Sequence, residues 1–265
     1  SACGSSQQAF NLAVGLVALA QDAAGNVWYI ADGLYSMLGD FAPYDALRRL
    51  LDRHDKLRLY IDDAHATSWT GARGRGSALE HFANDERVVV ALSLNKAFSA
   101  AGGALALPNV ETLQRIRRCG GPMLFSGPIQ PPMLGAAVGS ARLHLEPDFS
   151  VLQAELQQRL SLGLAAIERV GLELSTPARS PIFQAQCDSP RVAFTVAQRM
   201  RERGFYCCIC VFPAVPMNRP GIRFTVTRHN EPADIEQFMA KLAECLAEVA
   251  HEQRHASQEP VTFAQ

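Results

Sequence analysis

The sequence has no excess of charge of one sign and no long hydrophobic run. Its 265 residues carry 25 basic and 26 acidic side chains, a net charge of −1. That balance argues against a nucleic-acid partner, because binding to phosphates needs a basic face. The longest apolar run, near residues 10–20, is about half of the ~20 residues that span a bilayer. No basic stretch precedes it, which argues against a signal peptide. We therefore expect a cytoplasmic protein with no transmembrane segment.

The sequence also lacks the cysteine pattern of a disulfide framework or of a zinc site. It has seven cysteines, an odd number, in a chain long enough to fold without disulfides. Cys207, Cys208 and Cys210 lie close together, but no second Cys-x-x-Cys or His pair stands at zinc spacing. Alternation along an apolar strand would send Cys208 and Cys210 to one face and Cys207 to the other. We interpret these thiols as buried and structural, and expect no metal.

What the chain does contain is an alternation of strand-like and helix-like segments. Apolar runs predict strands near residues 26–31, 57–61, 87–92, 103–107, 181–186, 205–212 and 222–227. Helical spacing predicts helices over residues 43–54, 110–118, 133–145, 149–170, 191–203 and 231–251, with Asn109 and Asn230 as N-caps. Residues 120–132, rich in Gly and Pro, are expected to be a loop. This order predicts an α/β fold with helices on both faces of a mostly parallel sheet. The break at Pro147-Asp148 predicts a sheet domain over residues 1–146 and a smaller C-terminal α+β domain over 147–265.

Three polar features interrupt the apolar segments. Asp62, Asp63 and His65 follow a predicted strand, where ligands bind in open α/β sheets. Lys96 follows the next strand, and partial burial there would lower the pKa of its amine and make it a nucleophile toward carbonyls. Arg223 lies inside an apolar strand and needs an anionic partner, either a protein acid or a substrate carboxylate. Together they suggest pyridoxal-phosphate chemistry on an amino acid, with an acid on the ring nitrogen, a Schiff-base lysine and an arginine on the carboxylate.

Ordered motifs then identify a family. They are residues 32–40 with Ala42-Pro43, Asp62-Asp63-Ala64-His65, residues 71–76, Ser93-x-x-Lys96 with Gly102-Gly103, residues 124–128 with Pro131-Pro132, and Ile222-Arg223-Phe224. This series resembles the α-oxoamine synthases. These pyridoxal 5′-phosphate enzymes condense an amino acid with an acyl-CoA and release carbon dioxide and CoA.

The resemblance implies a fold, a cofactor and partners. The fold would be that of aspartate aminotransferase, fold type I, and residues 1–146 would be part of the cofactor-binding domain. Lys96 would hold the cofactor as a Schiff base and Asp62 would pair with its ring nitrogen. His65 would bind the ring's phenolic oxygen, with Ser36 nearby. Ser93 would bind the phosphate, as would Ser126 from the neighbouring subunit of a homodimer, and Arg223 would bind the substrate carboxylate.

The sequence departs from the family at three places. Asn95 and Ala66 replace glycines, so the pocket is expected to differ in shape. Family members also carry a stretch before the region matched here, with an aromatic residue that stacks on the pyridine ring. Since the chain starts at Ser1, we expect a fragment, a processed chain or a divergent member.

Two alternatives remain open at this stage. One keeps the cofactor but changes the reaction, to an aminotransferase or an aldolase on the same fold. The other is a truncated or partner-dependent subunit without catalysis of its own.

The other polar features receive structural interpretations. Residues 71–76 lack the Lys-Ser/Thr of a phosphate loop and are expected to be a mobile turn. The histidines other than His65, including His144, are expected at solvent-exposed positions or helix ends. Asp63 is expected to be structural, since Asp62 is the position that matches the family.

Overall fold

The computed structural model describes residues 25–177 and 180–256, which form two compact units. Of the described residues, the N-terminal unit contains 25–36 and 41–154, and the C-terminal unit contains the rest. The domain boundary expected between residues 146 and 147 stays a prediction. The apolar run near residues 10–20 lies outside the described residues.

A four-stranded mixed sheet forms the centre of the N-terminal unit. Its strands are β1 (Val27–Asp32), β2 (Leu57–Asp62), β3 (Val88–Ser93) and β4 (Gly103–Ala106), and they lie side by side in that order. The first three are parallel, and β4 runs antiparallel to β3. All four strands predicted in this half of the chain are therefore confirmed, to within one or two residues at each end.

Two helices pack on the apolar positions of this sheet. In α1 (Tyr44–Arg53), Leu47 and Leu51 are one turn apart and fully buried. They share a core with Leu59 and Ile61, which alternate along β2 and so point to one face. The short helix α2 (Ser77–Phe82) adds Phe82 to the same core. Sequence periodicity did not reveal α2, since its six residues begin after Gly76, which has no capping side chain.

Further helices follow the four strands. Those of the N-terminal unit are α3 (Val110–Cys119), α4 (Gly121–Leu124), α5 (Pro131–Leu145) and the first residues of α6 (Phe149–Val170), whose later residues belong to the C-terminal unit. The Asn109 side chain accepts a hydrogen bond from the Thr112 N–H at 2.8 Å, which confirms the predicted cap of α3. The expected loop over residues 120–132 was partly wrong, because it contains α4 and the start of α5. Pro131 and Pro132 open α5, where a missing N–H costs nothing.

The C-terminal unit is built on a three-stranded antiparallel sheet. Its strands are β5 (Ile182–Gln186), β6 (Cys208–Cys210) and β7 (Gly221–Thr225), with β7 in the centre. Helices α7 (Pro190–Glu202) and α8 (Pro232–Ala256), together with α6, complete the unit. Phe183, Ile222, Met200 and Leu242 are among the fully buried side chains of its core.

Some details of the C-terminal unit correct the sequence-based expectations. The strand expected over residues 205–212 is only three residues long. Beyond Cys210 the next partner on β7 would be Pro220, which has no N–H to donate. Asn230 does not cap α8, because its side chain accepts the Thr227 N–H at 2.7 Å.

The three clustered cysteines also differ from one another in burial. Cys210 is buried against Leu38 and Val215, Cys207 is half-buried and Cys208 is exposed. The expectation of buried thiols was therefore wrong for Cys208, which begins the edge strand. Burial raises the pKa of Cys207 and of Cys210 to about 11, so both thiols stay protonated at neutral pH.

None of the described helices combines the length and the apolar character that a membrane crossing requires.

Candidate active site

The carboxyl ends of the three parallel strands bring several predicted site residues to one edge of the sheet. Asp32 at the end of β1 is in register with Asp62 at the end of β2. Asp62 is in turn in register with Ala91, two residues before Ser93 at the end of β3. Ligands of open α/β sheets bind at this edge. The structure therefore places Asp62 and Ser93 where the fold offers a site.

Asp62 is exposed and begins a tight turn. Its Oδ1 accepts the N–H of Ala64 at 3.0 Å, which directs the chain away from the sheet into the segment that carries His65. His65 is half-buried, and its carbonyl accepts the Trp69 Nε1–H at 2.7 Å. The Asp62 carboxylate and the backbone of His65 are thus held by short-range hydrogen bonds at the same strand end.

Lys96 lies in the turn between β3 and β4, residues 94–102, which we call the Lys96 turn. Ser93 is paired with Gly103, and the Leu94 N–H donates to the Gly102 carbonyl at 3.0 Å, so the turn leaves the sheet at the edge described above. Within it, the Ser99 N–H donates to the Lys96 carbonyl at 2.9 Å.

The partial burial expected for Lys96 is wrong. Residues 95–97 are all exposed, because the turn projects beyond the last paired residues of β3 and β4. In the part of the chain that the structure describes, the Lys96 ammonium has no hydrogen bond or ion pair. Among the described residues, the amine is therefore accessible and unengaged.

The departure at Asn95 has a direct structural effect. The Ser93 hydroxyl donates a hydrogen bond to the Asn95 Oδ1. A glycine at position 95 would have no such acceptor. The hydroxyl that the resemblance assigns to the phosphate is thus already hydrogen-bonded within its own turn.

Asp63, next to the exposed Asp62, is fully buried. Its Oδ2 accepts the Ala78 N–H at 2.9 Å, and its Oδ1 accepts the Tyr44 hydroxyl at 3.4 Å. Burial raises the pKa of Asp63 to about 6, although hydrogen bonds from the Ala78 and Ser77 backbone oppose the shift. The structural interpretation of Asp63 is confirmed, since the hydrogen bonds of its buried carboxylate tie the loop after β2 to α1 and α2.

Two glycines show how closely the backbone surrounds this carboxylate. A Cβ at Gly33 would lie 2.1 Å from Asp63 Oδ1, and a Cβ at Gly76 would lie 2.3 Å from Oδ2. Gly76 also has a φ of +93°, which favours glycine. In the sequence, the two glycines could be noticed only as turn residues, one directly after β1 and the other before α2. The structure shows that both lie against Asp63.

The remaining site residues of the N-terminal unit lie in connecting segments. Ser36 is half-buried in the turn after β1, and Ser126 is exposed between α4 and α5.

His144 was expected at a solvent-exposed position or a helix end. It does lie in the last turn of α5, but it is buried, because aromatic rings cover it on two sides.

Arg223 lies in the central strand of the C-terminal unit. It is half-buried, in register with Gln184 of β5 and Cys208 of β6. Together with Tyr206 and Asp234 it lines an open cleft in that unit. A guanidinium that faces a cleft from a rigid strand can bind a carboxylate in two-pronged fashion.

Comparison with known proteins relates this edge of the sheet to an enzyme class. The sequence profile of the family "Aminotransferase class I and II" matches residues 2–242. The 8-amino-7-oxononanoate synthase of Anaeromyxobacter dehalogenans is 33% identical over 240 residues, which are 89% of this chain and 58% of that protein. The mitochondrial 2-amino-3-ketobutyrate coenzyme A ligase of Bos taurus is 27% identical over 213 residues, 80% of this chain and 50% of that protein.

Solved structures give the same fold. A serine palmitoyltransferase from S. paucimobilis, solved with a bound PLP–myriocin aldimine, superposes with a TM-score of 0.76 at 20% identity, over 84% of this chain and 56% of that one.

The chain therefore has the fold of type I pyridoxal-phosphate enzymes, and it belongs to the aminotransferase class I and II family. Within that family it resembles the α-oxoamine synthases, which confirms the resemblance seen in the motifs. The chain spans about half the length of the curated relatives that it matches, 50% and 58% for the two compared here.

Proposed function

We propose that this chain provides catalytic residues of a pyridoxal-phosphate-dependent α-oxoamine synthase, which condenses an amino acid with an acyl-CoA and releases carbon dioxide and CoA. The observation that carries the proposal is the exposed Lys96 amine, which has no polar partner within residues 25–177 and 180–256 and lies in a turn that leaves the same sheet edge as Asp62. The names of the curated relatives support the reaction class.

The side chains at this edge fit the cofactor by their chemistry. An amine without a polar partner can bind an aldehyde covalently, and an exposed carboxylate can hold a proton on a heterocyclic nitrogen. The imidazole of His65 and the Ser93 hydroxyl add hydrogen-bonding groups beside them. When bound, pyridoxal phosphate supplies an electron sink for the carbanion formed at the substrate Cα.

Each residue then has a distinct task. Lys96 would hold the cofactor through its amine and would take the proton from the substrate Cα. Asp62 keeps the ring nitrogen protonated, and its exposure leaves its outer oxygen available for that contact. His65 donates to or accepts from the phenolic oxygen and so orients the ring.

Serine and arginine side chains hold the charged ends of the ligands. Ser93 and Ser126 bind the phosphate, Ser36 contacts the ring side, and Arg223 pairs with the substrate carboxylate. For Ser93 this requires its hydroxyl to turn away from Asn95, which costs one hydrogen bond. We therefore expect weaker phosphate binding than in relatives with glycine at that position.

The assembly and location follow from the same proposal. Ser126 lies on an exposed segment. A residue that contributes to the site of a neighbouring subunit has to be exposed in this way. A homodimer with shared sites, working in the cytoplasm, is therefore part of the proposal.

Labelling of amines tests the role of Lys96 directly. The whole chain has three lysines, Lys56, Lys96 and Lys241, so two of them serve as internal references. After incubation with pyridoxal phosphate and borohydride, peptide mapping should find the modification mainly at Lys96. Asp62→Asn should reduce that preference. Equal modification of the three lysines would contradict the proposal.

Substrate dependence distinguishes the reactions. Release of CoA that needs both an amino acid and an acyl-CoA supports the condensation, whereas keto-acid formation without CoA supports an aminotransferase. Arg223→Ala should weaken amino-acid binding far more than cofactor binding. Equal losses of both would mean that the arginine has a structural role.

A further inference from the structure

We propose that His144 is a positioning residue that fixes the Lys96 turn to the loop carrying His65, residues 65–76. The inference rests on the proposed function for the importance of Lys96, but the coupling between the two segments stands on contacts of His144 alone. All of the residues concerned belong to the N-terminal unit.

The hydrogen bonds of His144 define its tautomer. Its Nδ1 lies 2.7 Å from the Ser140 carbonyl, and its Nε2 lies 2.7 Å from the Ser68 Oγ. Because a carbonyl oxygen can only accept, Nδ1 carries the hydrogen. In the neutral ring Nε2 then accepts the Ser68 hydroxyl. Both nitrogens of the buried imidazole are thus satisfied, one by its own helix and the other by the loop that follows His65.

The faces of the same ring are covered by two aromatic side chains. Phe98 stacks on His144 with a centroid distance of 4.9 Å and an interplanar angle of 28°. Phe149, at the start of α6, lies at 4.2 Å and 31°. Phe98 is two residues after Lys96, so the stack attaches the Lys96 turn to α5.

The loop over residues 65–76 is shaped around His144. Ser68 has a φ of +81°, rare for a residue with a Cβ, and its N–H donates to the Gly74 carbonyl at 2.7 Å. A Cβ at Gly74 would lie 2.9 Å from His144 Cδ2. A strained backbone and a glycine without room for a side chain both adjoin the imidazole, as expected where the surrounding structure holds a functional loop in place.

Three further hydrogen bonds, donated by two side chains, tie this loop to the helices. Arg73 donates to the Leu145 carbonyl at 2.9 Å, and Gln153 donates to the Trp69 and Gly71 carbonyls at 3.1 and 3.0 Å. These contacts explain why residues 71–76, expected to be a mobile turn, form a hydrogen-bonded structure. His144 differs from both in that it also contacts Phe98.

The consequence concerns the amine. Since Lys96 is exposed and has no polar partner among the described residues, the backbone of its turn sets where the amine can reach. The stack of His144 on Phe98 restrains that backbone. The hydrogen bond between His144 and Ser68 couples this turn to the segment that begins at His65.

The test uses Ser68→Ala, which removes one hydroxyl far from Lys96 in sequence, and His144→Leu, which removes the ring. His81→Phe is the matched control, because His81 also contacts the carbonyl four residues earlier, at 3.0 Å, and stacks on Tyr44 at 4.2 Å. Amide hydrogen exchange of residues 65–76 and 94–102 is measured for each protein, together with pyridoxal-phosphate labelling of Lys96 relative to Lys56.

Both variants should raise exchange in both segments, and Ser68→Ala should lower the Lys96-to-Lys56 labelling ratio about threefold or more, as loss of one hydrogen bond allows. His81→Phe should change neither quantity. Unchanged exchange at 94–102 in Ser68→Ala would overturn the inference, even if His144→Leu fails to fold. Absence of preferential Lys96 labelling in the parent chain would refute the proposed function instead, while the exchange data would still decide the coupling.

Discussion

Two neighbouring segments leave the same edge of the N-terminal sheet and differ in almost every physical respect. The segment after β2 buries a carboxylate, Asp63, and surrounds it with backbone donors and two glycines. The Lys96 turn after β3 exposes an amine and leaves it without a polar partner among the described residues. The first is held by side-chain contacts to several helices, the second mainly by the pairing of β3 with β4 and by Phe98.

The two segments therefore serve different purposes: the buried Asp63 carboxylate stabilises the fold, whereas the exposed Lys96 amine is accessible to a ligand. A buried charged group is costly unless fully hydrogen-bonded, so Asp63 can only act as a fixed part of the scaffold. An amine that is to bind a ligand must instead keep its own bonding capacity free. The two adjacent aspartates repeat the contrast, since Asp62 is exposed and Asp63 is not.

The largest expected effect comes from removing the scaffold carboxylate. Asp63→Ala leaves the buried Ala78 N–H without its acceptor and removes one of the two acceptors of the Tyr44 hydroxyl, the other being the Gly33 carbonyl at 3.0 Å. We expect the free energy of unfolding to fall by about 3–4 kcal/mol at pH 5. Asp62→Ala, one residue away and exposed, should cost less than about 1 kcal/mol. Urea unfolding of both variants measures the contrast, and similar losses would remove it.

A smaller effect follows from the titration of Asp63. Because burial raises its pKa to about 6, above the value near 3.9 of an unfolded chain, the folded protein binds the proton more tightly. Its contribution is therefore fully present below about pH 4 and is lost as the pH rises through 6, by about 2–3 kcal/mol. Asp63→Asn should lack this decline. Urea midpoints of both proteins between pH 4.5 and 7.5 test the prediction, and parallel curves would contradict it.

The smallest effect is expected at the exposed segment. Lys96→Ala removes a side chain with no hydrogen bond or ion pair in the described structure, so the free energy of unfolding should change by less than about 0.5 kcal/mol. The same variant should lose the preferential modification by pyridoxal phosphate. A large loss of stability, seen by thermal unfolding, would mean that Lys96 is part of the scaffold after all.

Most of the fold could be predicted from the sequence because most of its strands are short apolar runs, such as the three valines at residues 88–90 of β3. What failed were elements decided by neighbours in space. β6 is short because of Pro220 on the adjacent strand, and Asn230 binds Thr227 where a cap of α8 was expected.

The candidate site was predictable only in part, for a similar reason. Motif order located Asp62, His65 and Lys96, but nothing local in the sequence showed that Lys96 is exposed. Burial of His144 depends on Ser68 and on Phe98, 76 and 46 residues earlier in the chain, and no periodicity connects such positions.

The order of the strands in the N-terminal sheet has a consequence for biosynthesis. Since β1, β2, β3 and β4 lie side by side in chain order, each of them after β1 finds a neighbour already made when it emerges from the ribosome. Among the described strands of this sheet, pairing therefore joins strands that follow each other in the chain, which favours early formation of the sheet. The Lys96 turn is the connection that completes this sequence of additions among the described strands.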